Sequence, residues 1–260
     1  MKFHSKDGLR YLTFDIFPQN VLHAVFTRRG GVSPAPWKSL NVGGGIGDDP
    51  DRVRENRYRS FAALGRPRES IFDVWQVHSA DAVFADAPRP PDEPYRKADI
   101  ILTDRPEVTL FMRFADCVPV LLHDPRRGVV ALAHAGWLGT VRGVSRAAVQ
   151  AMQARYGSHP ADLLAAIGPS IGRDHYEVGA DVIQQVRASF GKEAEDLLFA
   201  QGEKIHLDLW AANRLLLEQA DVGKIEIAGL CTACHLDDWF SHRAEKGRSG
   251  RFGVLMALKE

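Results

Sequence analysis

Three cysteines and ten histidines carry most of the metal-binding and nucleophilic capacity of this 260-residue chain. Two of the cysteines stand in Cys231-Thr-Ala-Cys234-His235, a spelling shared by haem attachment sites, zinc knuckles and redox pairs. The third, Cys117, stands alone in "ADCVPVLLHDPRRGVVALAHAGW" at 115–137. The N-terminal stretch "MKFHSKDGLRYLTFDIF" lacks the apolar centre and cleavage site of a signal peptide. No run approaches the roughly 18 apolar residues that span a bilayer. A cytoplasmic location is therefore expected. Thiols stay reduced there, so each cysteine is a small buried hydrophobe, a metal ligand or a nucleophile. Haem attachment, which is normally made outside the cytoplasm, is disfavoured, while a separate zinc at Cys231, Cys234 and His235 stays open.

The segment around Cys117 has a geometry that spacing alone can address. Apolar runs at 118–123 and 128–133 flank the turn-rich Asp-Pro-Arg-Arg and predict a β-hairpin. If His123 pairs with Gly128, Cys117 falls opposite His134, with Cβ atoms about 4.5–5.5 Å apart. Side chains at that separation can share one metal ion. A slip of one residue would turn them to opposite faces. His123 shares the face of Cys117 but lies roughly 20 Å further along the strand, and it reads as a turn histidine. His78, just after the apolar stretch 71–77, is the candidate third ligand. The plainer alternative is a buried thiol beside a hydrogen-bonded histidine, with His78 an ordinary turn residue. Three mixed N and S ligands leave a fourth position open, as in catalytic zinc sites, where bound water ionises near neutrality. The same His2Cys set with a weak axial ligand holds blue copper, and Met112 is available in sequence for that position.

These residues need elements to position them. Strand-like runs occur at 11–17, 21–27, 71–77, 98–102, 108–115, 118–123, 128–133, 162–167, 224–230 and 252–258. Helical periodicity occurs at 52–65, 138–156, 179–190 and 208–220. Strands run together in the middle and alternate with helices later, which predicts a mixed α/β, or α+β, fold with a mixed central sheet and flanking helices. The proline-rich loop 85–99 lies between strands and reads as a surface excursion, so residues 1–260 are expected to form a single domain. With 45% hydrophobic residues the chain can bury a sizeable core, and with 33 basic and 33 acidic residues it carries no electrostatic footprint for nucleic acid or a membrane. A small-molecule partner is expected. The glycine-rich "NVGGGIGDD" fits neither a dinucleotide fingerprint nor a P-loop. The arginines at 52, 54, 57, 59, 66 and 68 are offset by nearby acids and read as a solvated helix face from which one arginine could reach a site. His175, His206 and His242 lack a partner at helical or hairpin spacing and read as structural.

The motifs "SLNVGGGIGDDPDRVRENR", "QVHSADAV", "ADCVPVLLHDP", "HAGW", "AIGPSIGRDHYEVG", "LDLWAANRLLL" and "CTACHLDDWFSHR…SGRFG" resemble, in order from 37 to 258, the YfiH family, also called the multicopper-polyphenol-oxidase-like or laccase-domain family. The resemblance implies a single α/β catalytic domain with one zinc held by His78, Cys117 and His134. It also implies phosphorolysis of adenosine, inosine, guanosine and methylthioadenosine, with adenosine deamination as a second activity. Purine nucleosides and phosphate are then the partners of a cytoplasmic, monomeric enzyme. Copper-dependent oxidation of polyphenols is the alternative enzyme reading, and a non-catalytic, metal-stabilised nucleoside-binding protein is the other. The fold also resembles cysteine-type toxin deamidases, which leaves Cys117 as a candidate nucleophile.

Within that reading Asp116 is a candidate acid or base. Arg243, with Arg57 behind it, is a candidate phosphate ligand because a planar guanidinium pairs well with phosphate. Asn41, Ser241 and Trp137 are candidate substrate contacts, the last by stacking on a purine. The chain departs from the family pattern at Leu138, where an arginine usually follows "HAGW", and at Ala244, where a second arginine is expected. Either change could shift the balance from phosphorolysis to hydrolysis.

Overall fold

The computed structural model describes residues 1–259. Two six-stranded mixed sheets stack face to face, with helices on both outer sides. The first sheet runs in the order β1 (Lys2–Lys6), β2 (Leu9–Thr13), β3 (Val21–Phe26), β14 (Phe252–Leu258), β7 (Thr109–Phe114) and β4 (Ile71–Phe72). The second runs β13 (Lys224–Ile227), β10 (Leu164–Ile167), β8 (Val118–Asp124), β9 (Val129–Ala135), β6 (Ile100–Thr103) and β5 (Ala82–Phe84). A separate hairpin joins β11 (Leu198–Gln201) to β12 (Lys204–Leu207). Pairing is parallel for β4 with β7, β5 with β6 and β10 with β13, and antiparallel elsewhere.

Strand periodicity explains the layers. Along β8 and β9, Leu121, Val130 and Leu132 point between the sheets to meet Leu110, Met112 and Val254. Their neighbours Val120, Leu122, Val129 and Ala131 point the other way, onto α3 (Val144–Tyr156) and α6 (Leu209–Glu218). A strand covered on both faces has no polar side to show, which is why "VPVLLHD" is buried throughout. On the outer face of the first sheet, Phe61 of α1 (Pro50–Ala63) packs edge-on against Phe111 at 5.8 Å. Asp49 caps α1 by accepting from Asp51 N at 2.7 Å, with Pro50 at the first position. Asp208 caps α6 by accepting from Ala211 N at 2.9 Å.

The mixed α/β class holds, while several boundaries move. The expected helix at 138–156 is two, α2 (Trp137–Val141) and α3, because Gly143 takes φ +77° between them. α4 (Ala180–Phe190) is found as expected, and a short α5 (Ala194–Leu197) follows it. The strands β1, β5, β11 and β12 carry too few apolar residues in alternation to read as strands from sequence.

The hairpin register also differs from expectation. His123 pairs with Val130, and His134 lies opposite Pro119 rather than Cys117. The turn decides this. Asp124 Oδ1 accepts from Arg126 N and Arg127 N at 2.8 and 3.0 Å, and Gly128, at φ +64°, closes the loop onto Asp124 O at 2.9 Å. β8 therefore runs one residue further before the turn and β9 begins one residue later. The shift of two positions conserves the side-chain face, so Cys117 and His134 are diagonal neighbours. His123 is no turn residue but a buried strand histidine whose Nδ1 lies 3.0 Å from Val129 O.

Candidate metal centre and cleft

Cys117, His78 and His134 converge at the edge of the inter-sheet layer, with ligand atoms all within 4.8 Å of one another. Cys117 Sγ lies 3.8 Å from His78 Nε2, and the two imidazole rings are 4.9 Å apart. Zinc bonds of about 2.3 Å to sulfur and 2.0–2.1 Å to nitrogen, at a tetrahedral angle, separate S and N by about 3.5 Å. Cys117 and His78 stand close to that separation, and the set of donors fits a metal ion.

Each histidine of this candidate donor set is held by its own local device. His134 is carried by β9 with its ring against Phe114, 5.3 Å away. Its Nδ1 donates to Asp99 Oδ1 at 2.7 Å, which leaves Nε2 for a metal. His78 sits at φ +59°, a costly backbone for a non-glycine residue. Asp99 Oδ2 stabilises it by accepting from Val77 N at 3.0 Å and Ser79 N at 2.6 Å, on either side of His78. Arg142 donates to His78 O at 2.9 Å. One fully buried carboxylate thus sets both histidines.

Gly136 supplies the space. A Cβ there would stand 2.7 Å from His78 Cδ2 and 2.9 Å from Cys117 Sγ.

Electrostatics prepare the thiol. Burial pushes Cys117 up, but the facing His134 charge and hydrogen bonds from both histidines outweigh it and bring the thiol down to about 6. Burial works against charge on His134, yet the Cys117 thiolate and the Asp99 hydrogen bond raise it to about 9. Without metal the pair is a thiolate and an imidazolium in line with a carboxylate, an order of groups found in nucleophilic cysteine sites.

The trio lies at the wall of a cleft of about 430 Å³ that also meets Gly43–Gly45, Trp75, Gln76, Arg113, His242 and Arg251. Among the described residues that lining contains two arginines and no carboxylate.

Several sequence-derived candidates stand elsewhere. Asn41 is buried and does not line the cleft; its Oδ1 accepts from Gly43 N and Arg251 N, each at 2.9 Å, so it braces the wall. Arg57 braces the same wall by donating to Val42 O at 2.9 Å. Ser241 is buried, with Oγ accepting from Ala244 N at 3.1 Å. Trp137 packs on the helix-side core, and it is Trp75, 56% exposed, that borders the cleft. Arg243 donates to Glu177 O at 2.8 Å and lies over the Tyr176 ring, beside a separate depression. Asp116 has both carboxylate oxygens engaged, by Thr232 Oγ1 and Arg243 N at 2.7 Å each. Met112 is buried between the sheets and is not among the residues that line the cleft.

Arg113, Arg251, Asp99 and Gly136 were not legible as site residues. Only a tertiary map brings 99, 113 and 251 together. His242, read as structural from its spacing, also lines the cleft.

Residues 22–259 match the family model described as multi-copper polyphenol oxidoreductase laccase. The chain belongs to this family, the YfiH family of the sequence resemblance. It is 41% identical to a protein of Deinococcus radiodurans named purine nucleoside phosphorylase, over 92% of this chain and 89% of that one. It is 35% identical to the purine nucleoside phosphorylase YfiH of Escherichia coli, over 90% of this chain and 94% of that one. The crystal structure of Bacillus licheniformis YfiH superposes with a TM-score of 0.92 at 33% identity, covering 99% of both chains. Among the described residues no helix is long and apolar enough to cross a membrane.

Proposed function

We propose that this YfiH-family chain is a zinc-dependent purine nucleoside phosphorylase acting on adenosine, inosine, guanosine and methylthioadenosine, with adenosine deamination as a second activity. The reading takes residues 1–260 as one catalytic domain working as a cytoplasmic monomer. The observation that carries it is the cleft lining: two arginines and no carboxylate beside a His2Cys donor set. A phosphorylase must hold a dianion against a neutral nucleoside, and an acid-free wall with two guanidiniums suits that task.

His78, Cys117 and His134 would hold the ion, which when bound supplies Lewis acidity to an oxygen of the reacting partners. Asp99 keeps the His134 proton on Nδ1. Arg251 and Arg113 bind and orient the anion. Trp75 offers an exposed aromatic face to the base. The backbone of Gly43–Gly45 closes the wall without side chains that would crowd the sugar. Deamination ranks second because it needs a group to move protons, and beyond the trio it is His242 that lines the cleft as a candidate for that role.

Copper oxidation of phenols is the competing reading, favoured by the thiolate among the donors. Zinc-loaded and copper-loaded protein should be compared for phosphate-dependent release of hypoxanthine from inosine and for dioxygen uptake with a phenol. Base release that requires both zinc and phosphate, and that is abolished by Cys117→Ala, is expected. Dioxygen uptake by the copper form with no base release by the zinc form would overturn the proposal.

A further inference from the structure

The Cys-x-x-Cys-His array that opened the sequence analysis is used by none of the chemistry above. Its histidine, His235, is exposed and serves the turn through its carbonyl, which accepts from Asp238 N and Trp239 N at 3.0 and 2.9 Å. A different histidine meets the two thiols. His175 Nδ1 lies 3.8 Å from Cys231 Sγ and 3.6 Å from Cys234 Sγ, and all three donor atoms fall within 4.8 Å of one another. Among the described residues this is the second of two groups with such convergence.

We propose that His175, Cys231 and Cys234 form a second metal site, for zinc, distinct from the catalytic trio. The S···N separations match the roughly 3.5 Å expected between thiolate and imidazole ligands on one tetrahedral zinc. Two sulfurs and a nitrogen select a borderline-soft ion over magnesium, calcium or manganese.

The surroundings are built for the ligands. Gly172 N donates to Cys231 Sγ at 3.2 Å, a hydrogen bond that stabilises a thiolate and orients it. Gly172 also leaves the room this needs, since a Cβ there would stand 3.1 Å from Cys231 Cβ and 3.3 Å from its sulfur. The two strands of the site are already clasped. Ser170 N donates to Leu230 O at 3.2 Å, and Thr232 N donates to Ser170 O at 2.9 Å. This backbone pairing brings the Arg173–His175 turn and the Cys231–Cys234 turn together before any ion binds, so little ordering remains to be done on binding.

The site has a structural consequence for the catalytic centre. Thr232, inside the array, donates to Asp116 Oδ1 at 2.7 Å, and Ile171 N donates to Asp116 O at 3.0 Å. Asp116 immediately precedes Cys117 and holds φ +81°. An ion joining the 170–175 and 231–234 segments braces two of the three partners of Asp116, Ile171 and Thr232, the third being Arg243 N. His175 and Cys234 are exposed and Cys231 is buried, and none of the three lines the cleft that meets the first trio, so the site stands apart from it.

The test is metal stoichiometry on full-length protein, loaded with zinc under reducing conditions, freed of excess metal and measured by atomic emission. Wild type should hold two zinc ions per chain. Cys234→Ala, His175→Ala and Cys117→Ala should each hold one, and the Cys117→Ala, Cys234→Ala double variant none. His235→Ala should still hold two. Cobalt substitution gives an independent readout. Thiolate-to-cobalt charge-transfer absorption should persist in Cys117→Ala at the greater part of its wild-type intensity, since two of the three ligating sulfurs remain. One zinc in fully reduced wild type that is lost in Cys117→Ala and kept in Cys234→Ala, or two retained in Cys234→Ala, would overturn the proposal, whereas one zinc lost only in Cys234→Ala would overturn the zinc reading of the Cys117 trio instead. So would loss of an ion in His235→Ala but not in His175→Ala. A thiol count of one rather than three in denatured, unreduced protein would identify Cys231 and Cys234 as a disulfide pair and overturn it equally. Cys234 is exposed, so its replacement leaves the core packing intact and the count interpretable.

Discussion

Asp99→Asn isolates the buried carboxylate that sets both histidines of the His2Cys centre. The replacement keeps the shape but has one acceptor oxygen where Asp99 uses two. Oδ1 accepts from His134 and Oδ2 from the N–H groups of Val77 and Ser79. If the amide oxygen stays with the two backbone donors, its NH2 faces His134 Nδ1 and forces the proton onto Nε2, the atom needed by the metal. If the amide flips, two buried N–H groups around His78 lose their partner, at about 1–3 kcal/mol each. Either way the centre loses affinity. Second-layer carboxylates of this kind are worth about 10- to 100-fold in metal binding, or about 1.4–2.7 kcal/mol. Competition against a chromophoric chelator gives the affinity directly. The unfolding midpoint of the metal-free variant shows whether the fold survived. A folded Asp99→Asn protein that binds zinc within about twofold of wild type would refute the tautomer and loop argument, because both outcomes of the substitution predict at least tenfold.

Three further outcomes follow from named contacts. Gly136→Ala places a Cβ against His78 and Cys117 at ordinary backbone angles; zinc affinity by chelator competition should fall at least about tenfold, and unfolding stability should fall by about 1–3 kcal/mol from the overpacking. Arg251→Met should raise the KM for phosphate by roughly tenfold, the worth of one charge-assisted hydrogen bond, and leave the KM for inosine much closer to wild type; equal effects on both would remove Arg251 from the anion site. His23 is buried, which brings it down to about 4 from 6.5, and its Nε2 accepts from Phe14 N at 2.8 Å. The unfolded chain binds this proton first as pH falls, so the stabilisation is complete above pH 6.5 and is lost towards pH 4, by about 3 kcal/mol. Urea titrations of His23→Gln should show a shallower acid decline through that window, and parallel curves for the two proteins would contradict the assignment.

The sequence by itself marked the mixed α/β class, the family and three candidate donors, His78, Cys117 and His134, whereas the stacking of two sheets was not legible in it. The apolar runs of β8 and β9 and the positions of Cys117, His134 and His78 are local signals, and local signals survive in one dimension. Even the mistaken register left Cys117 and His134 on one face, because a shift of two residues preserves the pleat. Only the tertiary structure decided what surrounds the trio. Asp99, Arg113 and Arg251 come from three strands or their ends, and their convergence depends on which strands neighbour one another. That order is fixed by packing the two sheets through residues far apart in sequence. The Cys-x-x-Cys-His array shows the same division. Its spelling marked two thiols as a ligand pair but offered the adjacent His235, whereas the fold delivers His175 by clasping the segment at 170–175 against the array. Spacing can nominate donors on one stretch of chain, but a partner from another stretch is chosen by backbone pairing that no short motif encodes.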